Sequence, residues 1–207
     1  MSNPWLSVPL SDYEGHMQSP GVQQLQPLSE LFAQALALRR PASVAIVGIA
    51  GGNGLDQIDP ATTQRIVGLD INPEYLATVR ERYATLQQLE LHCVDLTQQR
   101  LELARVDLVH VALVFEHTGT GMAFENALDL VAPGGALSVV LQLPGDPGQD
   151  VGKSGYDSIQ KHSGHFQLIP PETFAKMVGA RGFRLAHESR HDVPAGKALW
   201  LAVFTRD

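Results

Sequence analysis

Apolar residues are nearly continuous in four short runs: "SVAIVGI" from Ser43, "RIVGLDI" from Arg65, "LELHCVD" from Leu89 and "VDLVHVALVF" from Val106. A fifth run, "GALSVVLQL", begins at Gly135. A strand with one face in water alternates apolar and polar residues, whereas a strand covered on both faces need not, so these runs predict buried parallel strands. Helical patterns fill the gaps. In "NPEYLATVRERYATL", Asn72 can cap, Pro73 takes the first helical position, and Leu76, Val79, Tyr83 and Leu86 share one face. In "GTGMAFENALDLVAPGG", Met122, Phe124, Ala127, Leu128 and Val131 form a second helix, which Pro133 is predicted to stop. This alternation predicts a doubly wound α/β sheet.

The pattern breaks at Pro144. From there to Ser163 the chain is rich in Gly, Pro and Asp and lacks periodicity, which marks residues 144–169 as a lid-like insertion. The segment "PPETFAKMVGARGF" then predicts a helix with Gly182 as its left-handed stop. "FRLAHESR" and "KALWLAVFTR", joined by "HDVPAG", predict a closing antiparallel hairpin. Residues 1–43 lie outside the alternation. There Val22, Leu25, Leu28, Phe32 and Leu36 make a helical stripe with a start signal at Ser19 and Pro20, and Pro27 is expected to kink or divide it. "PWLSVPLSDYEGHM" reads either as a strap on the sheet edge or as a cover on the substrate side.

Composition narrows the function. At 207 residues and 44% hydrophobic, the chain suits one domain with a sizeable core. The formal net charge of -7 and the absence of a basic run argue against a nucleic-acid partner. Cys93 is the only cysteine, so no intramolecular disulfide or multi-cysteine metal site is available and a reducing compartment fits. Without a leader pattern or eighteen consecutive apolar residues, a cytoplasmic protein that does not enter membranes is expected.

The stretch "VAIVGIAGGNGLD" sets four glycines, Gly48, Gly51, Gly52 and Gly54, directly after the first strand. A dinucleotide fingerprint, G-x-G-x-x-G/A, fits in neither register: from Gly52 the third small residue is missing, and from Gly48 the glycine places fall on Ala50 and Asn53. The stretch instead resembles the first motif of the class I S-adenosylmethionine-dependent methyltransferases, acidic-x-G-x-G-x-G, over "GIAGGNG". Gly48 stands in the acidic place, Ala50 in the first glycine place, and Gly52 and Gly54 in the last two. The order downstream also matches. Asp70 in "VGLDINPEYL", with Ile71 beside it, resembles the family's carboxylate that accepts both ribose hydroxyls. Asp95 and Leu96 in "HCVDLTQ" resemble the pair that meets the adenine. Glu116 and His117 after the fourth strand, and the Pro-Gly-Gly turn before the fifth, are similar to the small-molecule branch.

The resemblance implies a Rossmann-like, mostly parallel seven-stranded sheet ending in an antiparallel hairpin, with the methyltransferase domain over residues 44–207. It also implies S-adenosylmethionine as cofactor and a small-molecule acceptor. Candidate cofactor contacts are Gly48, Ala50, Gly52, Gly54, Asp70, Ile71, Asp95 and Leu96. A base is needed only if the acceptor must lose a proton, and then His117, His165 and Tyr156 are the candidates. Plainer roles compete: glycines after a strand make turns, and Asp70 and Asp95 could be helix caps. His110, inside a strand, is expected to be a hydrogen-bonded core residue. His162 and His165 lack partners for a metal site, so no metal is predicted. Two rival readings remain: a nicotinamide-dependent oxidoreductase, which would lack both its glycine fingerprint and a Tyr-x-x-x-Lys pair, and a non-catalytic member of the methyltransferase fold. The oligomeric state is left open.

Overall fold

The computed structural model describes residues 3–145, 155–160, 166–193 and 196–206. Among these residues seven strands form one sheet, in the order β3-β2-β1-β4-β5-β7-β6. They are β1 (Ser43–Val47), β2 (Arg65–Asp70), β3 (Leu89–Cys93), β4 (Val106–Ala112), β5 (Val131–Leu143), β6 (Phe183–Val193) and β7 (Lys197–Arg206). The first five pair in parallel, and β7 runs antiparallel between β5 and β6.

The continuous apolar runs have the expected cause. On β1, Ala45 and Val47 face one core, and Val44 and Ile46 face another. The first core is filled by Phe115 of α4 (Phe115–Thr118), Phe124 of α5 (Met122–Asp129) and Phe174 of α7 (Pro171–Gly179). The second is filled by Leu28, Phe32 and Leu36 of α2 (Leu25–Arg39) and by Leu76 and Val79 of α3 (Pro73–Arg82). Phe32, Phe124 and Phe174 are fully buried, and each such side chain contributes about 1.5–3 kcal/mol relative to exposure. His110 is buried as expected, with its Nδ1 3.0 Å from Ser138 Oγ.

Helix ends follow local chemistry, with three departures from the sequence reading. Asn72 caps α3 by accepting from the Glu74 amide (2.9 Å), and Pro73 occupies its first position. That helix stops at Arg82, short of Leu86, because Tyr83 leaves helical geometry and donates its hydroxyl to the Gly52 carbonyl (2.9 Å). The described N-terminal residues hold a 3-10 turn (Pro4–Leu6) and two α-helices, α1 (Leu10–Gln18) and α2, and α2 starts at Leu25 rather than near Ser19. Pro27 is therefore the third residue of α2, where an N–H would have no helical partner, and it neither kinks nor divides the helix. Finally, α5 ends at Asp129 and Val131 already pairs with Val106, so β5 starts before Pro133 and skips register to Leu108↔Ala136. No helix among the described residues is long and apolar enough to cross a membrane.

The topology positions the site. From β1 the chain proceeds to β2 and β3 on one side, and from β4 to β5 on the other. Ligands of open α/β sheets bind at such a switch, beyond the carboxyl ends of the strands. Because β7 is antiparallel, its first residue, Lys197, lies at that same rim, one step beyond the Leu143↔Ala198 pair.

Candidate active site

The loop after β1 is built to bring backbone close to the rim. Gly48 (φ 70°) and Ile49 both donate their amides to the Leu69 carbonyl, at 2.8 and 3.0 Å, which curls the chain back on itself. Ala50 follows in the left-handed region at φ 46°, and its amide donates to Asp70 Oδ2 (2.9 Å). The other oxygen of Asp70 accepts from the Asn72 amide (2.9 Å). One carboxylate thus ties the glycine loop to the start of α3. Burial pushes its pKa upward, opposed by the backbone amides of Asn72, Ala50 and Ile71. Asp95 Oδ1 accepts from both the amide (2.9 Å) and the hydroxyl (2.6 Å) of Thr97. Leu96 is held beside it by Asn126, whose Nδ2 donates to the Leu96 carbonyl (2.9 Å).

Gly48, Ala50, Asp70, Ile71, Asp95 and Leu96 line a single cleft at the rim, together with His117. Gly52 and Gly54 do not line it. A Cβ on Gly52 would lie 2.6 Å from the Tyr83 ring, and one on Gly54 would lie 2.9 Å from the Phe32 ring. Their φ values, 85° and 89°, also favour glycine. Packing behind the loop therefore accounts for these two glycines. Gly54→Ala should cost about 1–2 kcal/mol from the left-handed backbone alone, lowering the melting midpoint by about 2–8 °C. A thermal melt matching the parent would show that Phe32 and the backbone tolerate the methyl group.

The candidate bases separate. His117 projects into the cleft between Trp5 (ring centroids 4.9 Å apart) and Phe166 (5.1 Å). Tyr156 packs on α1, so close that a Cβ on Gly15 would lie 2.1 Å from its hydroxyl oxygen. His165, like His162 and much of the lid-like insertion, lies outside the described residues. The described part of that insertion includes α6 (Asp157–Gln160), which is joined to α1 by the Ser158 hydroxyl donating to Asp12 Oδ2 (2.6 Å).

The cleft also holds residues that the sequence left open between two roles or did not single out. Trp5, Tyr13 and His16 of the N-terminal segment line the cleft, and Asn72 Nδ2 holds the Trp5 carbonyl at 2.9 Å. Burial, aided by Asp70, pushes the Tyr13 hydroxyl up to about 12. Gln24, Gln142 and Lys197 form the opposite end, where Gln24 Nε2 donates to Gln142 Oε1 (2.9 Å). The one available hint was a lysine heading the otherwise apolar run "KALWLAVF". Beneath this end, Glu116 Oε1 accepts from the Gln142 amide (2.9 Å), while Oε2 is buried with no partner among the described residues. Burial pushes the Glu116 carboxyl up to about 7.

Comparison with known proteins gives this geometry a context. Residues 46–137 match the family model described as a methyltransferase domain. The N-methyltransferase NodS from Bradyrhizobium japonicum WM9, solved with S-adenosyl-L-homocysteine, superposes with a TM-score of 0.69 at 17% identity, covering 99% of each chain. Magnesium protoporphyrin IX methyltransferase from Synechocystis PCC 6803, solved with S-adenosylmethionine, superposes with a TM-score of 0.71 at 12% identity, covering 100% of this chain and 98% of the other. The [4+2]-cyclase SpnF shares the fold as well, with a TM-score of 0.67 at 14% identity over 87% of this chain and 80% of its own. No curated protein matches the sequence.

Proposed function

We propose that the chain is a class I S-adenosylmethionine-dependent methyltransferase, a reading supported by the methyltransferase-domain match over residues 46–137 and by the shared fold, and that it methylates a small organic acceptor held at the β4–β5–β7 end of the cleft. The observation that carries this reading is the placement of both strand-end carboxylates, Asp70 and Asp95, in one cleft with the glycine loop. The residues fit the cofactor. A carboxylate offers about four acceptor sites; the Ala50 and Asn72 amides take two on Asp70, with the Ile71 amide also directed at it, so the carboxylate can still accept from the ribose. Asp95 uses only Oδ1 on Thr97, so Oδ2 can accept from an adenine amino group, with Ile71 and Leu96 supplying apolar walls.

The cofactor, when bound, supplies a methyl group already activated on a sulfonium. The work left to the chain is alignment and exclusion of water. Trp5, Tyr13 and Ile159 line the cleft with apolar surface, which supports the first part of the N-terminal extension (1–43) together with the insertion (144–169) as a cover over the acceptor and 44–207 as the methyltransferase domain. Of the candidate bases we favour His117, which lines the cleft, to take a proton from the acceptor when the nucleophilic atom carries one.

Calorimetry with S-adenosylmethionine, S-adenosylhomocysteine and NAD side by side tests this. Binding of the first two without NAD is expected. Tight NAD binding with no response to the others would establish the oxidoreductase reading instead.

A further inference from the structure

Gly51 is the one glycine of the loop after β1 that neither lines the cleft nor takes a left-handed φ. What it makes room for is an ion pair. A Cβ there would overlap Glu14 Oε1 and Arg82 Nη1. Glu14 belongs to α1 and Arg82 ends α3; the guanidinium meets both carboxylate oxygens, and its Nη1 also donates to the Gly51 carbonyl (3.2 Å). Two further bonds join the same elements: Tyr75 donates its hydroxyl to the Val8 carbonyl (2.9 Å), and Asn72 holds the Trp5 carbonyl. The strap and α1 are thus fastened to α3 and to the glycine loop, the two elements that flank Asp70.

The residue before Glu14 serves the cleft. Tyr13 lines it, with its ring set between Trp5 (centroids 6.0 Å apart) and Tyr75 (6.4 Å). Tyr75 spends its hydroxyl on Val8, whereas the Tyr13 hydroxyl makes no hydrogen bond among the described residues. Burial first, then the Asp70 and Glu14 carboxylates, raise its pKa to about 12, so it remains a protonated donor at physiological pH. Asp70 is therefore a close neighbour, yet no bond joins the two. A donor withdrawn from water costs free energy until an acceptor is supplied. The group that fits between a phenol and a carboxylate is a hydroxyl, which accepts from one and donates to the other.

Resting on the methyl-transfer reading, we propose that Tyr13 is a cofactor-binding residue: its hydroxyl donates to a ribose hydroxyl oxygen whose own proton goes to Asp70, and the Glu14–Arg82 pair seated on Gly51 holds it in place. The helix α1 is thereby part of the cofactor site as well as a cover. Glu14 acts through Tyr13 and is a positioning residue. The stacked neighbours Trp5 and Tyr75 fix the phenol before the ligand arrives, so little side-chain freedom is lost on binding.

Calorimetry on the full chain tests this with S-adenosylhomocysteine and with 5′-methylthioadenosine, which keeps the ribose and lacks the amino-acid arm. Tyr13→Phe should weaken both ligands by the same factor, roughly three- to tenfold. The melting temperature without ligand should be unchanged, because the lost hydroxyl bonds no described residue in the free chain. Glu14→Gln should also weaken both ligands, but in the Tyr13→Phe background it should add little, since the two act as a unit. Parental affinity in Tyr13→Phe, a loss confined to S-adenosylhomocysteine, no binding of methylthioadenosine by the parent, or additive effects of the two substitutions overturns the proposal. If S-adenosylhomocysteine binds the parent and Tyr13→Phe alike, only this inference fails; if it does not bind the parent, the methyl-transfer reading fails first and this one with it.

Discussion

Asp70→Ala is expected to weaken S-adenosylhomocysteine binding by roughly ten- to hundredfold, the equivalent of losing about 1.5–3 kcal/mol of hydrogen bonding to a charged group. The effect has two sources. The ribose hydroxyls lose their acceptor, and the Ala50 and Asn72 amides lose theirs. Ala50 sits at φ 46°, an uncommon conformation for a residue with a side chain, and its bond to Asp70 helps hold it there. Removing the carboxylate therefore loosens the loop as well as the contact. Asp107→Ala is the control. That carboxylate accepts from the Ser43 amide (2.8 Å) and hydroxyl (2.9 Å) at the opposite end of the sheet, so its loss should lower the melting temperature and leave affinity in the folded fraction alone. Calorimetry of both variants decides the matter. Equal behaviour of the two, or parental affinity in Asp70→Ala, would remove Asp70 from the cofactor site.

Glu116→Gln should stabilise the protein at pH 8 and leave it nearly unchanged below about pH 4.5. The carboxyl has a pKa of about 7 in the folded chain against an ordinary 4.5. Below the lower value it is neutral whether the chain is folded or not. Between the two, the folded chain holds a proton that the unfolded chain has released, so stability falls as pH rises through this window and the loss is complete above about 7. The gap corresponds to roughly 3 kcal/mol. In the amide, Oε1 still accepts from the Gln142 amide, while the buried ionisation is gone. Melting curves at pH 5 and pH 8 should show the parent losing on the order of 6–12 °C more than Glu116→Gln between the two. Parallel curves would mean that Glu116 is as easily ionised inside as in water.

The sheet and its ligand rim were readable because burial on both faces leaves its mark on every residue of a strand: Val44 and Ile46 needed one core, Ala45 and Val47 the other. Asn72 and Pro73 marked a helix start because their chemistry is local. Pro27 and Pro133 misled for a matching reason. Proline's effect depends on its place within an element, and that place was set by Leu25 entering the helix and by Val131 finding Val106 across the sheet. Asp70 and Asp95 could be placed from motif order alone. Gln24, Gln142 and Lys197 could not, since three separate elements carry them and only the pairing of β5 with β7 brings the last two together. Trp5 and Tyr13 lie in a segment that reads equally as an edge strap or a substrate-side cover, because whether it reaches a cleft depends on bonds such as Asn72 to Trp5, which span 67 residues.

That last bond constrains how the chain can vary. Asn72 accepts from Glu74 with its oxygen and donates to Trp5 with its nitrogen. Serine or aspartate would cap the helix as well, but aspartate has no proton to give and serine has a shorter side chain. Position 72 therefore carries information about a segment more than sixty residues upstream. A lineage that discards the N-terminal strap is released to exchange asparagine for any good cap, and one that keeps the strap is not. Sequence drift at a helix start becomes a record of whether the far end of the chain still covers the cleft.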